Sequence, residues 1–229
     1  MRSDLPKVLL PLCGRPMLAY VLDVLAEVGI LRPSIVVAES GESAIRDALG
    51  DGYQYVLQEE QLGSGHAVLC AREVARASEN VLVMCGDSPL FLAETVRSLI
   101  RSHVSEQAVA ALTSAALTRP EGYGRVLRTK DGNVAGVVEE VLATDEQKAI
   151  KEVNGGCYAF DGPWLWENIG GMSRNEIGEY CLTEMVDMAI QQGERVVTVS
   201  AKPDEVAGVN TPAQLLEAEA VLRARPGGQ

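Results

Sequence analysis

Two polar segments of the chain lie where an α/β protein can bind a nucleotide and its metal ion. The first is segment 58–67, QEEQLGSGHA, whose glycine-flanked hydroxyl opens a predicted helix. The second is segment 86–90, GDSPL, whose aspartate comes just after the apolar run 81–85. A glycine-flanked turn at a helix start presents backbone N–H groups to phosphates, and a carboxylate after a buried strand is a suitable ligand for a hard cation. Together the two segments predict nucleotide chemistry.

The first half of the chain alternates predicted helices with short predicted strands, and this order places both segments. Apolar positions after Pro16 recur at helical spacing and end at Gly29, as expected for a helix with proline at its start and glycine past its end. Such alternation is typical of βαβ units around a parallel sheet, whose ligands lie at the carboxyl ends of strands, where Gln58 and Asp87 fall. The predicted helices are 16–28, 42–49, 66–77 and 93–103, and the predicted strands are 35–38, 53–57 and 81–85.

The second half of the chain changes to a pattern dominated by strands. Segments 124–128 and 134–139 are strand-like and are joined by KDGN at 130–133, a favourable hairpin turn. We therefore predict one α/β domain over residues 1–229, with a mixed, mostly parallel sheet flanked by helices. The remaining predicted elements are strands at 108–115, 153–160 and 196–200 and helices at 182–192 and 212–223.

The composition argues against several classes of function. A net charge of −12 over 229 residues disfavours a nucleic-acid surface, although backbone N–H groups and a few local cations can still hold a small anionic substrate. Five cysteines without a CxxC pair and only two histidines give no zinc-site spacing, and they indicate reduced thiols. No apolar stretch reaches the roughly 20 residues of a membrane span, and the N-terminus does not begin a signal peptide. We expect a cytoplasmic protein that binds neither nucleic acid nor membrane.

Further motifs occur in order along nearly the whole chain. Besides the two segments above, they are SDLPK at 3–7, GRPM at 14–17, GYGR at 122–125, VE at 138–139, ATDEQ at 143–147, EVNGG at 152–156 and GVN at 208–210. With these motifs the sequence resembles the sugar-phosphate nucleotidyltransferases. The set looks like the uridyltransferase domain of the bacterial bifunctional enzymes that make UDP-N-acetylglucosamine.

The resemblance implies a Rossmann-like nucleotidyltransferase fold and a definite reaction. UTP and N-acetylglucosamine 1-phosphate would give pyrophosphate and UDP-N-acetylglucosamine, a nucleotide sugar and peptidoglycan precursor, with Mg²⁺ as cofactor. A phosphate oxygen of the sugar would attack the α-phosphorus in line, so the protein would mainly position substrates and neutralise charge. The implied partners are these small molecules, with no obligate protein partner.

The resemblance makes Lys7 and Asp87 the candidate catalytic residues. Lys7 would contact the phosphates, because an ammonium after a proline gives a point charge at a defined place; a solvated surface lysine is the alternative. Asp87 and Asn210 would bind Mg²⁺ through a carboxylate and an amide oxygen. Asp87 could instead be a turn or capping aspartate, and Asn210 could cap the last helix.

Five more residues are candidates for nucleotide binding beside Lys7 and Asp87. They are Gln58, Gly63, Ser64, Cys85 and Gly86. The Gln58 amide offers the donor and acceptor that a pyrimidine edge needs, and Gly63 lets backbone approach the base; a plain loop and helix entry is the alternative for Gly63. Cys85 would be contacted through its backbone only, and we expect His66 to be a packing or capping residue.

Four residues match family positions that hold the sugar. They are Gly124, Glu139, Asn154 and Asn210, whose backbone, carboxylate and amide groups can hydrogen-bond the N-acetyl and hydroxyl groups. A glutamate at a strand edge is usually just solvated. Its occurrence together with the YGR and EVNGG motifs favours a sugar pocket.

The sequence also departs from the family pattern. A glycine-rich loop of the type LAAGxGTRM and its preceding strand, which would bind the triphosphate, do not occur ahead of Met1, and no C-terminal hexapeptide-repeat domain follows. We therefore expect open strand edges and hypothesise that the native chain begins upstream. Segment 140–142, EVL, stands where the family often has a basic and acidic pair. Three alternatives to the implied reaction stay open: transfer to another sugar 1-phosphate, transfer from another nucleoside triphosphate, and a catalytically inactive nucleotide-sugar binder.

Overall fold

The computed structural model describes residues 5–225, so Ser3 and Asp4 of the SDLPK motif lie outside the described part. The helices in that part are α1 (Met17–Glu27), α2 (Glu42–Leu49), α3 (Ser64–Cys70), α4 (Arg72–Ala75), α5 (Ala93–Ser105), α6 (Asp145–Lys148), α7 (Gly162–Asn168), α8 (Thr183–Gln191) and α9 (Pro212–Ala224). Short 3-10 turns cover Lys7–Leu9, Glu39–Gly41, Glu140–Leu142 and Ile169–Gly171. The strands are β1 (Pro11–Leu12), β2 (Arg15–Pro16), β3 (Ser34–Ala38), β4 (Gln54–Gln58), β5 (Asn80–Met84), β6 (Ala110–Ala116), β7 (Arg125–Arg128), β8 (Val134–Val138), β9 (Glu152–Asp161) and β10 (Val196–Ser200).

Helix α1 forms where the sequence predicts it. Pro16, with a φ of −53°, precedes the first turn, and Gly29, with a φ of +94°, follows the last. The apolar face of α1, which includes Val21 and Leu25, packs in one buried cluster with Ile35 of β3. The local start and stop signals and the apolar spacing therefore agree with the packed helix.

Strands β3 and β4 form a separate two-stranded parallel sheet. Their register runs from Ser34 opposite Gln54 to Ala38 opposite Gln58. The connection between them passes through α2, which contacts both strands, so this part of the chain is the predicted βαβ unit. Gln58, the first residue of the predicted nucleotide loop, consequently lies at the carboxyl edge of this small sheet.

The larger sheet has six strands and is built around β9. The second half of β9 pairs with β5 on one side and β6 on the other, and its first half pairs with β6 and, at Val153 opposite Arg125, with β7. The main path runs in the order β10-β6-β9-β7-β8. In this sheet β10 and β6 are parallel, whereas the pairs made by β9 and the pair β7–β8 are antiparallel.

The predicted mixed sheet is confirmed, but the expected predominance of parallel pairing is not. Among the described strands, antiparallel pairs outnumber parallel ones. One reason is that β9 runs against all three of its neighbours. The other is the hairpin of β7 and β8, whose turn includes Gly132 with a φ of +85°, at the predicted KDGN segment. Direct antiparallel pairing thus replaces further βαβ crossovers in the second half of the chain.

The two sheets are held together by side chains. Within residues 5–225, no strand pairs with the second edge of β3 or of β5. Leu82 and Met84 of β5 pack against the cluster that α1 and β3 form, together with Val8. Strand β5 is only half-buried, although its apolar run predicted a buried strand. Its position at an edge of the described sheet accounts for this exposure.

Several local features differ from the predicted elements, among them helices α6 and α7, which were not predicted. The predicted helix 66–77 is split into α3 and α4, because Ala71 N bonds back to Val68 O, three residues earlier, and tightens the turn. The hairpin of β1 and β2 was not predicted; its turn needs left-handed backbone at Cys13, with a φ of +49°, and at Gly14, with a φ of +81°. None of the described helices is long and apolar enough to cross a lipid bilayer.

His103 is a buried side chain that joins α5 to β5. Its Nε2 lies 2.9 Å from Oδ1 of Asn80, an acceptor, so Nε2 carries the proton. Its Nδ1 is buried without a hydrogen-bond partner among the described residues. Burial lowers the pKa of His103, although the nearby Asp161 carboxylate opposes the shift. The folded protein therefore favours neutral His103.

We predict that His103 contributes to acid sensitivity. The unfolded chain titrates this group near its ordinary pKa of about 6.5, whereas the folded chain does so at lower pH. The free energy of unfolding should thus fall as the pH drops below about 6.5, because the unfolded state binds the proton first. His103→Gln keeps an amide donor but does not titrate, so its stability should fall less between about pH 8 and about pH 5. Urea unfolding of both proteins measures this, and equal losses would contradict it.

Candidate active site

A short turn near the start of the described chain presents a lysine. Pro6, with a φ of −50°, leads into the 3-10 turn Lys7–Leu9, whose last N–H donates to the Pro6 carbonyl at 2.9 Å. The turn packs against the end of β5, where a Cβ added to Gly86 would lie 3.3 Å from a methyl group of Val8. A glycine at this position lets the turn come close to the next residue, Asp87.

Lys7 joins the two predicted metal ligands, which come from distant parts of the chain. Its Nζ donates to Asp87 Oδ2 at 2.5 Å and to Asn210 Oδ1 at 2.7 Å. The backbone supports the same arrangement, because Val209 N donates to Asp87 O at 2.9 Å. The side chain of Lys7 is 37% exposed and that of Asp87 is 24% exposed. Lys7 is therefore an ion-paired residue at an accessible site and not a freely solvated surface lysine.

The structure excludes the capping alternatives for both predicted metal ligands. The N-cap of α9 is Thr211, whose Oγ1 accepts from Gln214 N at 3.2 Å while the Gln214 side chain accepts from Thr211 N at 2.9 Å. This reciprocal capping box leaves Asn210 Oδ1 to Lys7. Asp87 caps none of the described helices, since α5 begins only after Leu92, but it does lie in a turn, as the other alternative for Asp87 predicted.

The oxygens of Asp87 and Asn210 fit a hard cation. They converge on the Lys7 ammonium, which marks a point where positive charge is stabilised. Carboxylate and amide oxygens suit Mg²⁺, which usually keeps several waters and adds substrate phosphates to one or two carboxylates. Among residues 5–225 no group of three or more His, Cys, Asp or Glu side chains could hold a metal ion. The donor set therefore fits Mg²⁺ shared with a substrate and does not fit a structural zinc site.

The predicted nucleotide loop docks on the segment that precedes α8. Tyr180 N donates to Leu62 O at 2.8 Å, and Leu182 N donates to Ser64 Oγ at 3.0 Å. Gly63 has a φ of +102°, and a Cβ there would lie 2.6 Å from Tyr180 O. Gly63 is therefore required by the packing of the protein itself, and its contact with a base stays a prediction. The Ser64 hydroxyl accepts in this contact and keeps a proton to donate.

Gln58 and His66 are joined within the same loop. Gln58 Nε2 donates to Gly63 O at 3.1 Å and lies 3.1 Å from His66 Nδ1. Because an amide nitrogen only donates, Nδ1 is the acceptor. The His66 ring also stacks on Tyr180, with ring centroids 6.3 Å apart. These contacts agree with the packing role expected for His66, and they commit the Gln58 donor to the loop, so the pyrimidine contact of Gln58 stays a prediction.

Cys85 follows β5 and lies between the predicted phosphate and sugar residues. The residue is exposed, although neighbouring protein atoms partly desolvate its thiol. That burial, together with the Asp87 carboxylate, raises the pKa of the thiol to about 11, with Lys7 opposing the shift and Glu139 adding to it. A Cβ added to Gly156 of β9 would lie 3.8 Å from the Cys85 sulfur, so Cys85 is close to the strand that carries the sugar cluster. The thiol stays protonated at neutral pH, which disfavours a nucleophilic role, and its predicted backbone contact is untested.

Gly124, Glu139 and Asn154, the predicted sugar residues from three segments, meet beside β9. Asn154 N donates to Gly124 O at 2.9 Å, and a Cβ added to Gly124 would lie 3.4 Å from Glu139 Oε2. The Asn154 amide is held on both sides, since Nδ2 donates to Tyr158 Oη at 2.5 Å and Oδ1 accepts from Gly156 N at 3.1 Å. The three residues therefore form one cluster around Gly124, in which the Asn154 amide is fixed.

Thr183 belongs to this cluster and was missed by the sequence analysis. It is the first residue of α8, it is 4% exposed, and its Oγ1 donates to Glu139 Oε1 at 2.8 Å. A threonine at a helix start is an ordinary capping signal, so nothing local pointed to Glu139. In the structure Thr183 makes no cap and instead fixes one oxygen of the carboxylate.

Arg125 and Glu140 form a pair beneath the sugar cluster. The Arg125 side chain is 1% exposed; its Nη2 lies 2.7 Å from Glu140 Oε2, and its Nε donates to Ile150 O at 3.0 Å. Arg125 follows Gly124 directly, and Glu140 follows Glu139. The pair therefore fixes the spacing of two predicted sugar residues. It also gives a structural role to Glu140, which belongs to the segment 140–142 that departs from the family pattern.

A cavity of about 530 Å³ opens beside Glu139, between β8 and α8. Leu142 and Asp187 are among its lining residues. Burial raises the pKa of Asp187; a hydrogen bond from Val137 N opposes the shift, and the Glu184 and Glu139 carboxylates add to it. Of the described residues, three carboxylates, including Glu139 and Asp187, line the cavity against one cation, Arg174, and this acidic wall suits a ligand rich in hydroxyl groups.

Comparisons with known proteins agree with this geometry. A family model described as the MobA-like NTP transferase domain matches residues 1–151. Proteins named bifunctional protein GlmU from Heliobacterium modesticaldum and from an Exiguobacterium species are each 42% identical over 228 residues, which is 98% of this chain and 50% of theirs. One from Syntrophotalea carbinolica is 40% identical over 229 residues, 98% of this chain and 49% of its own. The chain thus spans about half the length of the curated relatives that it matches.

The fold also matches a solved structure. A protein of Bacillus anthracis, assigned as a candidate glucose-1-phosphate thymidylyltransferase, superposes with a TM-score of 0.80 over 100% of this chain and 91% of that chain. The sequences are 18% identical, so the likeness concerns the fold alone. It confirms the predicted Rossmann-like nucleotidyltransferase architecture.

We predict that Gly63→Ala destabilises the protein more than Gly50→Ala. Both glycines have positive φ, +102° and +80°, so alanine adds backbone strain at each. Only at Gly63 does the new Cβ meet backbone, since nothing lies within 4 Å of a Cβ on Gly50. Both have ψ near 180° as well, a region almost reserved for glycine, so the free energy of unfolding should fall by roughly 2 kcal/mol for Gly50→Ala and by roughly 4 kcal/mol for Gly63→Ala. Urea titration measures both, and equal losses would mean that the loop is not held against Tyr180.

Proposed function

The chain belongs to the MobA-like NTP transferase family, and on that premise we propose that it transfers a uridylyl group from UTP to N-acetylglucosamine 1-phosphate. The observation that carries this proposal is the convergence of Lys7, Asp87 and Asn210 on one point. The sugar cluster is close to it, since a Cβ added to Gly156 would lie 3.8 Å from the sulfur of Cys85. The motifs that resemble the uridyltransferase domain of UDP-N-acetylglucosamine-forming enzymes support the choice of nucleotide and sugar.

The proposed reaction is a displacement at the α-phosphorus of UTP. An oxygen of the sugar phosphate forms a bond to this phosphorus, the bond to the oxygen that bridges the α- and β-phosphorus breaks, and pyrophosphate leaves with that electron pair. A phosphate dianion needs no general base, so positioning and charge neutralisation supply the catalysis. Lys7 would donate to phosphate oxygens and stabilise the charge on them.

Asp87 and Asn210 would hold Mg²⁺ through the two oxygens that converge on Lys7. The ion, when bound, neutralises phosphate charge and orients the triphosphate. A single carboxylate among the protein ligands leaves the ion a net positive charge for the phosphates. The second assignment of Asn210, to the sugar, remains part of the proposal, because within residues 5–225 the Asn210 side chain accepts its hydrogen bond from Lys7.

The remaining residues would hold the two organic groups. The loop of Gln58, Gly63 and Ser64 would contact the uracil, with Cys85 and Gly86 beneath the phosphates. Glu139, oriented by Thr183, would accept hydrogen bonds from sugar hydroxyls, and the fixed amide of Asn154 would pair with polar groups of the sugar beside Gly124. The acidic cavity wall would keep the sugar phosphate turned towards Lys7.

A cytoplasmic location and small-molecule partners form part of the same proposal. The five cysteines are free thiols, which suits a reducing compartment. UTP and a sugar 1-phosphate are the proposed partners, and the net charge of −12 argues against nucleic acid.

Release of pyrophosphate tests the proposal. With Mg²⁺ and N-acetylglucosamine 1-phosphate, the protein at its native length should release pyrophosphate fastest from UTP, compared with CTP, dTTP and GTP. Glucose 1-phosphate should replace the N-acetylated sugar poorly. Faster turnover of another pair would reassign the substrates within the same reaction type. Binding of UDP-N-acetylglucosamine without pyrophosphate release at any Mg²⁺ concentration would refute catalysis and identify a binding protein.

Thr183 should act as a positioning residue for Glu139. Thr183→Val removes the donor to this carboxylate and should raise KM for the sugar 1-phosphate about tenfold, because a hydrogen bond to a charged group contributes about 1.5–3 kcal/mol. The KM for UTP should change less. Thr183→Ser keeps the hydroxyl and should restore most of the sugar affinity. Steady-state kinetics of the three proteins check this, and a loss that serine does not rescue would indicate a purely packing role.

A further inference from the structure

The Lys7 ammonium lies where a divalent cation would contact Asp87 and Asn210. Its Nζ is 2.5 Å from Asp87 Oδ2 and 2.7 Å from Asn210 Oδ1. A Mg²⁺ ion bound to the same two oxygens would sit about 2.1 Å from each. That position overlaps the space filled by the ammonium, and two positive charges so close would repel each other strongly. The oxygens can therefore bind the ammonium or the ion in this geometry, but not both.

We propose that Lys7 is the resident cation of the metal site and that a divalent ion binds there by displacing it. This inference rests on the metal role proposed for Asp87 and Asn210. In the structure the ammonium is the partner that residues 5–225 supply to the Asp87 carboxylate in an ion pair. An ion that arrives alone breaks this pair and leaves the ammonium without its two acceptors.

The displacement couples metal binding to nucleotide binding. A triphosphate offers the displaced ammonium new, negatively charged acceptors, so the loss of the pair with Asp87 is offset only when nucleotide is present. The metal and the nucleotide then increase each other's affinity, as linkage requires. A lysine that merely added positive potential near the phosphates would give no such competition at the metal site.

Binding of Mn²⁺, followed by electron paramagnetic resonance, tests the competition without turnover. Without nucleotide, Lys7→Met should bind Mn²⁺ about tenfold more tightly than the wild-type chain, because its side chain is neutral and no longer competes. Lys202→Met removes the same charge from an exposed lysine and should leave the affinity unchanged. Asp87→Asn should lose the binding, which identifies the measured site.

A second arm measures the coupling. A non-hydrolysable UTP analogue should raise the Mn²⁺ affinity of the wild-type chain by a larger factor than it raises the Mn²⁺ affinity of Lys7→Met. Both affinities are corrected for the Mn²⁺ that binds to free analogue in solution. Lys7→Gln is a second neutral variant, and thermal melting shows which variants are folded.

Equal or weaker Mn²⁺ binding by both folded neutral variants would overturn the inference, as would an equal gain with the analogue. The proposed function fails separately: it fails when the wild-type chain binds Mn²⁺ through Asp87 but releases no pyrophosphate.

Discussion

The hydrogen-bond ladder of β9 is the constraint on which the rest of the structure depends. Its register places Met84 opposite Cys157, which fixes the end of β5 and hence the position of Asp87. The same strand places Asn154 opposite Ser114, which fixes the amide of the sugar cluster. A slip of one residue would turn every side chain of β9 to the other face of the sheet. The distance between the predicted phosphate and sugar residues is therefore set by backbone pairing, and the side-chain contacts refine it.

A short segment before α8 connects the nucleotide loop to the sugar cluster. Tyr180 bonds to the loop through its backbone, and its carbonyl occupies the space that a side chain on Gly63 would need. Three residues later, Thr183 holds the Glu139 carboxylate. Because the four consecutive residues 180–183 contact both the nucleotide loop and the sugar cluster, the loop cannot be repacked without moving the cluster.

The sequence predicted local features well and long-range ones unevenly. Helix α1 followed from Pro16, Gly29 and apolar spacing, all of which act within a few residues. Lys7 and Asp87 lie 80 positions apart, and only the order of motifs indicated that they meet; the structure brings them together, while their chemical roles stay predictions. Two other features depend on which distant segments pack together. They are the contact of Thr183 with the Glu139 carboxylate and the antiparallel direction of β9. Periodicity carries no information about that choice.

Local arrangement of charge explains how a protein with a net charge of −12 can be suited to phosphates. Arginines such as Arg97 and Arg101 are paired with exposed carboxylates, where solvent screens the interaction and little is gained. Lys7 differs, because its acceptors are the oxygens that suit a metal ion. In the proposed exchange, the ion takes over Asp87 and the ammonium turns to the phosphates, so two cations face the phosphates together only when both substrate and ion are present. Net charge could therefore argue against a nucleic-acid surface, which needs many cations at once, but could not decide whether a single nucleotide binds.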